Sequence, residues 1–91
     1  MKRIRVHVTQ DHINKGDPCK TTSCPIALAL QPHFPGKTPA VGGFFVNDRL
    51  LDNSPEEPNV LGYLSSRARE FIELFDGGRV VSPFTFYLRL K

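Results

Sequence analysis

The residues best equipped for chemistry sit together in positions 16–30, which read Gly-Asp-Pro-Cys-Lys-Thr-Thr-Ser-Cys-Pro-Ile-Ala-Leu-Ala-Leu. A polar loop carrying both cysteines runs directly into the most apolar helix candidate of the chain. Pro25 suits the first helical position, because its φ is already helical and the N–H it lacks has no partner there. Cys24 is then the expected N-cap, with Ser23, Thr22 and Thr21 supplying hydroxyls beside it. Free N–H groups and the positive end of the helix dipole at such a start favour an anion or a thiolate. Lys20, Thr21, Thr22, Ser23 and Cys24 are therefore the expected anion-binding loop, although it lacks the glycine spacing of a phosphate-binding loop. The plainer reading of the same residues is a helix cap within a surface loop.

The thiols admit further chemistry. Cys24 at a helix start, with His12 nearby in sequence, has the setting of a low-pKa reactive cysteine; a small buried cap is the simpler reading. Cys19 and Cys24 are too far apart in sequence for a two-residue-spaced redox dithiol, but close enough to close a small disulfide loop. Reduced thiols are the default for a cytosolic chain. Zinc would have to recruit Cys19, Cys24 and His12 with His33 or His7, and none of these has the tight paired spacing of a structural site. No cofactor is expected. Nor does a nucleophile–base order or a carboxylate pair on a scaffold emerge: Glu56 and Glu57 fall in a proline-bounded loop. A non-enzymatic protein is the expectation.

Arginine makes the second constellation. Arg3, Arg5 and Arg89 lie on terminal segments of alternating pattern, and Arg67, Arg69 and Arg79 lie near the last helix candidate. Guanidinium groups suit bidentate phosphate recognition, and Tyr87 or Phe44 offers a ring on which a base can stack. On the helix, Glu70, Glu73 and Asp76 accompany Arg67 and Arg69, so a solvated face with local ion pairs explains that cluster equally well.

These side chains need elements to position them. Residues 3–9 alternate, with Ile4, Val6 and Val8 on one face and Arg3, Arg5 and His7 on the other, which predicts a half-buried strand. Thr9 should cap one turn of helix over 10–15, stopped at Gly16. The helix over 24–31 is apolar all round and so should be central, ending at Pro32 and Pro35. A strand is expected at about 40–46, with Gly42-Gly43 marking a bulge or a close backbone approach. Residues 52–59 read as an acidic surface loop. Residues 60–64 fit either a short strand or the entry to a helix. Ala68, Phe71, Ile72 and Phe75 recur at helical spacing, predicting a helix over 65–76 capped by Ser65 or Ser66 and closed by Gly77-Gly78. Phe84, Phe86, Leu88 and Leu90 then alternate with Thr85, Tyr87, Arg89 and Lys91 as a terminal strand.

At 91 residues, with 40% apolar side chains and a formal charge of +3, this composition describes one domain with a thin core. An oligomer would relieve that thinness. No apolar run reaches the ~20 residues of a membrane span, and the charged first segment lacks the apolar stretch of a signal peptide. A cytoplasmic location is expected. The mild basicity suits anionic partners but falls short of a dedicated nucleic-acid arm. The element order predicts a small single-domain α+β fold: a mainly antiparallel sheet of three or four strands, with two or three helices on one face. If the outer strands are neighbours, Arg3, Arg5, His7, Tyr87 and Arg89 share one surface.

Three segments together carry a resemblance: Val-Thr-Gln-Asp-His-Ile over 8–13 with Gly16, Cys-Pro-Ile-Ala-Leu-Ala-Leu over 24–30, and Phe-Asp-Gly-Gly followed by Pro-Phe-Thr-Phe over 75–86. The chain resembles a group of short uncharacterised proteins of bacteriophages and bacteria. No site residues carry over; the resemblance implies only a phage-type accessory protein that binds a host protein or sequesters a small host molecule, as in host-defence counteraction. The resulting expectation is a homo-oligomer that binds an anionic small molecule such as a nucleotide signal. The ligand would be held by residues 20–24 with Arg3, Arg5, Tyr87 and Arg89. A protein–protein inhibitor of a host factor, acting through Phe44/Phe45 or a sheet edge, is the alternative, and a weak nucleic-acid binder is third.

Overall fold

The computed structural model describes residues 2–48 and 60–90. The opening alternation forms β1 (Arg3–Val8), which buries Val6 and Val8 and leaves Arg3, Arg5 and His7 exposed. Thr9 then caps α1 (Gln10–Lys15): its hydroxyl accepts from the His12 N–H at 3.3 Å, and His12 Nδ1 accepts from the Thr9 N–H at 3.0 Å. This reciprocal pair satisfies two donors that a helix start leaves open, and it commits the His12 ring to the backbone. Gly16 is required where it stands, since a Cβ there would come within 2.5 Å of Pro25 Cδ. Only glycine lets the end of α1 abut the start of α2 (Pro25–Leu30).

Six residues are too few for a helix to persist alone in water. Burial holds α2 instead: Ile26 and Leu30 are fully buried, Ala27 and Ala29 nearly so. Pro32 sits in a 3₁₀ turn (Gln31–His33) that ends the helix, as expected.

The segment after it departs from expectation. In place of one strand at about 40–46 there are two, β2 (Pro39–Val41) and β3 (Phe45–Asp48), paired antiparallel. Gly42-Gly43-Phe44 is the reversal between them, closed by a 2.9 Å hydrogen bond from the Gly42 N–H to the Phe45 carbonyl. The double glycine marks a hairpin, and the register shift lies elsewhere, between Val46 and Asn47. The expected acidic loop over 52–59 lies outside the described residues. Residues 60–63 form β4 (Val60–Tyr63). The helix α3 (Ser66–Asp76) begins at Ser65, whose hydroxyl accepts from the Ala68 N–H at 3.2 Å, and stops at Gly77. The strand β5 (Phe84–Leu90) completes the described fold.

Among the described residues the sheet therefore has five strands, in the order β1-β5-β4-β3-β2, all antiparallel. The expected three or four are exceeded because the glycine hairpin splits one candidate and β4 adds another. The α+β class stands. Helices cover one face: Ile26, Ala27 and Leu30 of α2 and Ala68 and Phe71 of α3 join Val6, Val8, Val46, Phe86 and Leu88 in one core. Phe71 and Phe84 stack across that layer with ring centres 4.7 Å apart. Among the described residues the opposite sheet face has no helix over it, and no helix is long and apolar enough to cross a membrane.

Candidate functional site

Strand alternation decides what the uncovered face presents. With Val6, Val8, Phe86 and Leu88 in the core, Arg3, Arg5 and His7 of β1 and Thr85, Tyr87 and Arg89 of β5 point the other way. Register then sets them opposite one another as Arg3/Arg89, Arg5/Tyr87 and His7/Thr85. Arg89 is in turn opposite Tyr63, and Tyr63 opposite Phe45. One row, Arg3-Arg89-Tyr63-Phe45, thus crosses four strands, a span of about 14 Å at ordinary strand spacing.

Within this surface the guanidinium groups lie on rings. Arg3 Cζ stands 4.5 Å from the ring centre of Tyr87, and Arg89 Cζ 4.9 Å from that of Tyr63. Thr85 Oγ1 and His7 Nδ1 share a 2.7 Å hydrogen bond. No ion pair among the described residues involves Arg3, Arg5 or Arg89. The sole carboxylate on the described strands, Asp48, is buried on the Val46 side, where it accepts from the Thr38 N–H and pairs with Lys37 at 3.8 Å. Guanidiniums stacked on rings, with no ion-pair partner among the described residues, keep their in-plane donors directed outward, and their summed field draws anions.

The other half of the expected site lies across the sheet. Residues 16–24 are stapled in place: Asp17 N–H to Ser23 carbonyl at 2.9 Å, Cys24 N–H to Lys20 carbonyl at 3.1 Å, and Val41 N–H to Thr21 carbonyl at 2.8 Å. Cys19 N–H donates to Asp76 Oδ1 at 2.8 Å. Thr22 is exposed and Ser23 half-buried. Lys20, Thr21 and Cys24 line a cavity of about 290 Å³, whose walls are Pro25, Ile26, Val41, Phe71, Ile72 and Phe75 and whose rim includes Asp76.

Cys24 caps α2 as its position predicts, with Sγ accepting from the Ala27 N–H at 3.4 Å. That cap takes up the Ala27 N–H, one of the donors an anion at this helix start would use. A short helix with apolar surroundings and a carboxylate in the same cavity makes a poor receptor for negative charge. Lys20, Thr21, Thr22, Ser23 and Cys24 are therefore not brought together with Arg3, Arg5, Tyr87 and Arg89. The helical layer and the sheet separate the two groups.

For Cys24 the simpler reading, a small buried cap, describes the structure, and the low-pKa alternative does not. Both cysteines are free, Cys19 exposed and Cys24 buried. Burial pushes the Cys24 thiol above its ordinary range, outweighing the Ala27 and Ile26 N–H groups that favour thiolate. Since the folded protein holds this proton more tightly than the unfolded chain, stability is unaffected below the ordinary thiol range and falls as pH rises through and beyond it. The expected result is a melting temperature that drops between pH 8 and pH 10, and drops less in Cys24→Ser. A thiol reagent should label Cys19 in the native state and Cys24 only after denaturation; equal labelling rates would contradict this burial. His12 is bound to Thr9, and no group of three His, Cys, Asp or Glu among the described residues can hold a metal.

Arg67, Arg69 and Arg79 belong to the helical side. Arg67 lies over Phe84 at 5.6 Å and Arg69 over Phe44 at 4.2 Å, with no ion pair to Glu70 or Glu73, and Arg79 is exposed in the following turn. Phe44 stands exposed at the hairpin tip, while Phe45 is half-buried on the open face. Phe45 was expected only as part of a protein-contact surface with Phe44, and Tyr63 had no signal of its own; only the pairing of β3, β4 and β5 aligns both with the arginine row. No protein-family model, curated protein or solved structure matches the chain.

Proposed function

We propose that this chain is a non-enzymatic binding protein whose open sheet face holds an anionic ligand of nucleotide type. The observation that carries the reading is the juxtaposition of Arg3, Arg5 and Arg89 with Tyr87 and Tyr63 on one surface, without an ion-pair partner among the described residues. Phosphate oxygens suit the guanidinium edges and a planar base suits the stacked faces. Within the phage-type setting that the resemblance implies, such a protein acts by sequestration.

Isothermal titration with adenosine and guanosine nucleotides tests this. Binding should weaken as salt rises, and Arg5→Ala should lower affinity about tenfold, the effect of one charge-assisted hydrogen bond. Arg79→Ala, on the helical side, should leave the affinity unchanged. No heat with any nucleotide, or equal loss in both variants, would remove the face from consideration.

A further inference from the structure

We propose that the occupant of the open face is a single-stranded nucleic acid laid across the strands, and not an isolated nucleotide. The inference rests on the reading above and concerns how much of the face one ligand fills. The face offers two separate ring–guanidinium stacks, Arg3 on Tyr87 and Arg89 on Tyr63, with Arg5 beside the first. Its Arg3-Arg89-Tyr63-Phe45 row runs across four strands. A mononucleotide has one base and one cluster of phosphates, so it can occupy one stack and leave the rest of the row bare.

Shape points the same way. Small ligands gain affinity by being enclosed, and cavities of about 290 and 300 Å³ among the described residues are lined from the helical side, one by α2, α3 and Val41 and the other by α3 and residues 80–84. The open face is a platform. A polymer binds a platform by repeating a modest contact, stacking successive bases while arginines track its backbone. Duplex is disfavoured by the same geometry: a sheet face presented broadside inserts no helix or ribbon into a groove, and paired bases do not offer their faces to Tyr87 or Tyr63.

Fluorescence anisotropy with labelled ten-nucleotide dT and rU strands decides the matter, with competition by AMP, ATP and a ten-base-pair duplex. The expected result is at least tenfold tighter binding of a decamer than of either mononucleotide, with duplex the weaker competitor. Three arginine–phosphate contacts give a slope of log affinity against log salt of about −2. Tyr87→Ala, at an exposed position, should weaken the decamer about tenfold and ATP by less. A decamer no tighter than ATP, or a duplex that competes as well, overturns this inference while the nucleotide-type reading stands. Failure of every probe overturns both. Parity of dT and rU means the 2′-hydroxyl is not read; preference for one names the polymer.

Discussion

Reversing Arg3, Arg5 and Arg89 together to glutamate should abolish anion binding while leaving the protein folded. The three positions are exposed and take part in no ion pair among the described residues. Exposed substitutions of this kind ordinarily change stability by only about 0.5 kcal/mol each. Each reversal removes two units of charge, carrying the formal +3 to −3, and places carboxylates where phosphate oxygens would sit. Affinity should fall more than a hundredfold, beyond detection for a micromolar ligand. Circular dichroism should show native secondary structure, with melting lowered by no more than about 12 °C, given 4–8 °C per kcal/mol for a domain of this size. The corresponding triple lysine variant separates charge from shape. It preserves the field but not the planar fork that stacks on Tyr87 and Tyr63. Intermediate affinity is expected, with the loss largest for ligands that carry a base. A triple glutamate variant that binds as tightly as the parent would exclude this face altogether.

Gly62→Val should have the largest effect on the fold. A Cβ at Gly62 would stand 2.8 Å from the Arg89 carbonyl oxygen, 2.8 Å from Leu88 Cγ and 2.9 Å from Leu88 Cδ2. Leu88 is fully buried, and the carbonyl belongs to the backbone of a neighbouring strand, so neither can yield without moving β5. The position is critical because the described pairing of β4 with β5 consists of Gly62/Leu90 and Tyr63/Arg89. That seam joins the β1-β5 pair to β4-β3-β2. Two further methyl groups make the overlap worse than for alanine. Overpacking of this severity costs about 3 kcal/mol or more, a fall of at least about 12 °C in melting temperature. Gly62→Ala should show the same sign at smaller size. Because Arg89 and Tyr63 face each other across this seam, anion binding should decline along with the fold. An unchanged melting temperature in Gly62→Val would mean that β4 and β5 are not paired as described.

Sequence alone determined the features that depend on neighbours within a few residues. Alternation over 3–9 and 84–90 places Val6 and Phe86 inside and Arg5 and Tyr87 outside whatever the strands pair with, since consecutive strand residues point to opposite faces. Thr9, Cys24 and Ser65 announce helix starts because a cap acts within three residues of itself. The Ala68-Phe71-Ile72-Phe75 stripe announces α3 for the same local reason. Tertiary structure decided everything that joins distant segments. Gly42-Gly43 fits a bulge or a hairpin equally well until β2 and β3 pair. Arg3 meets Arg89, and Arg89 meets Tyr63, only through the register of β1, β5 and β4. Cys24 carries a helix-start signal for a reactive thiol, yet burial outweighs the local N–H groups, and burial belongs to the whole core. The same packing parts Lys20 from Arg3, because a two-sided sheet with helices on one side leaves room for two surfaces, and the chain order of the residues says nothing about which one each will join.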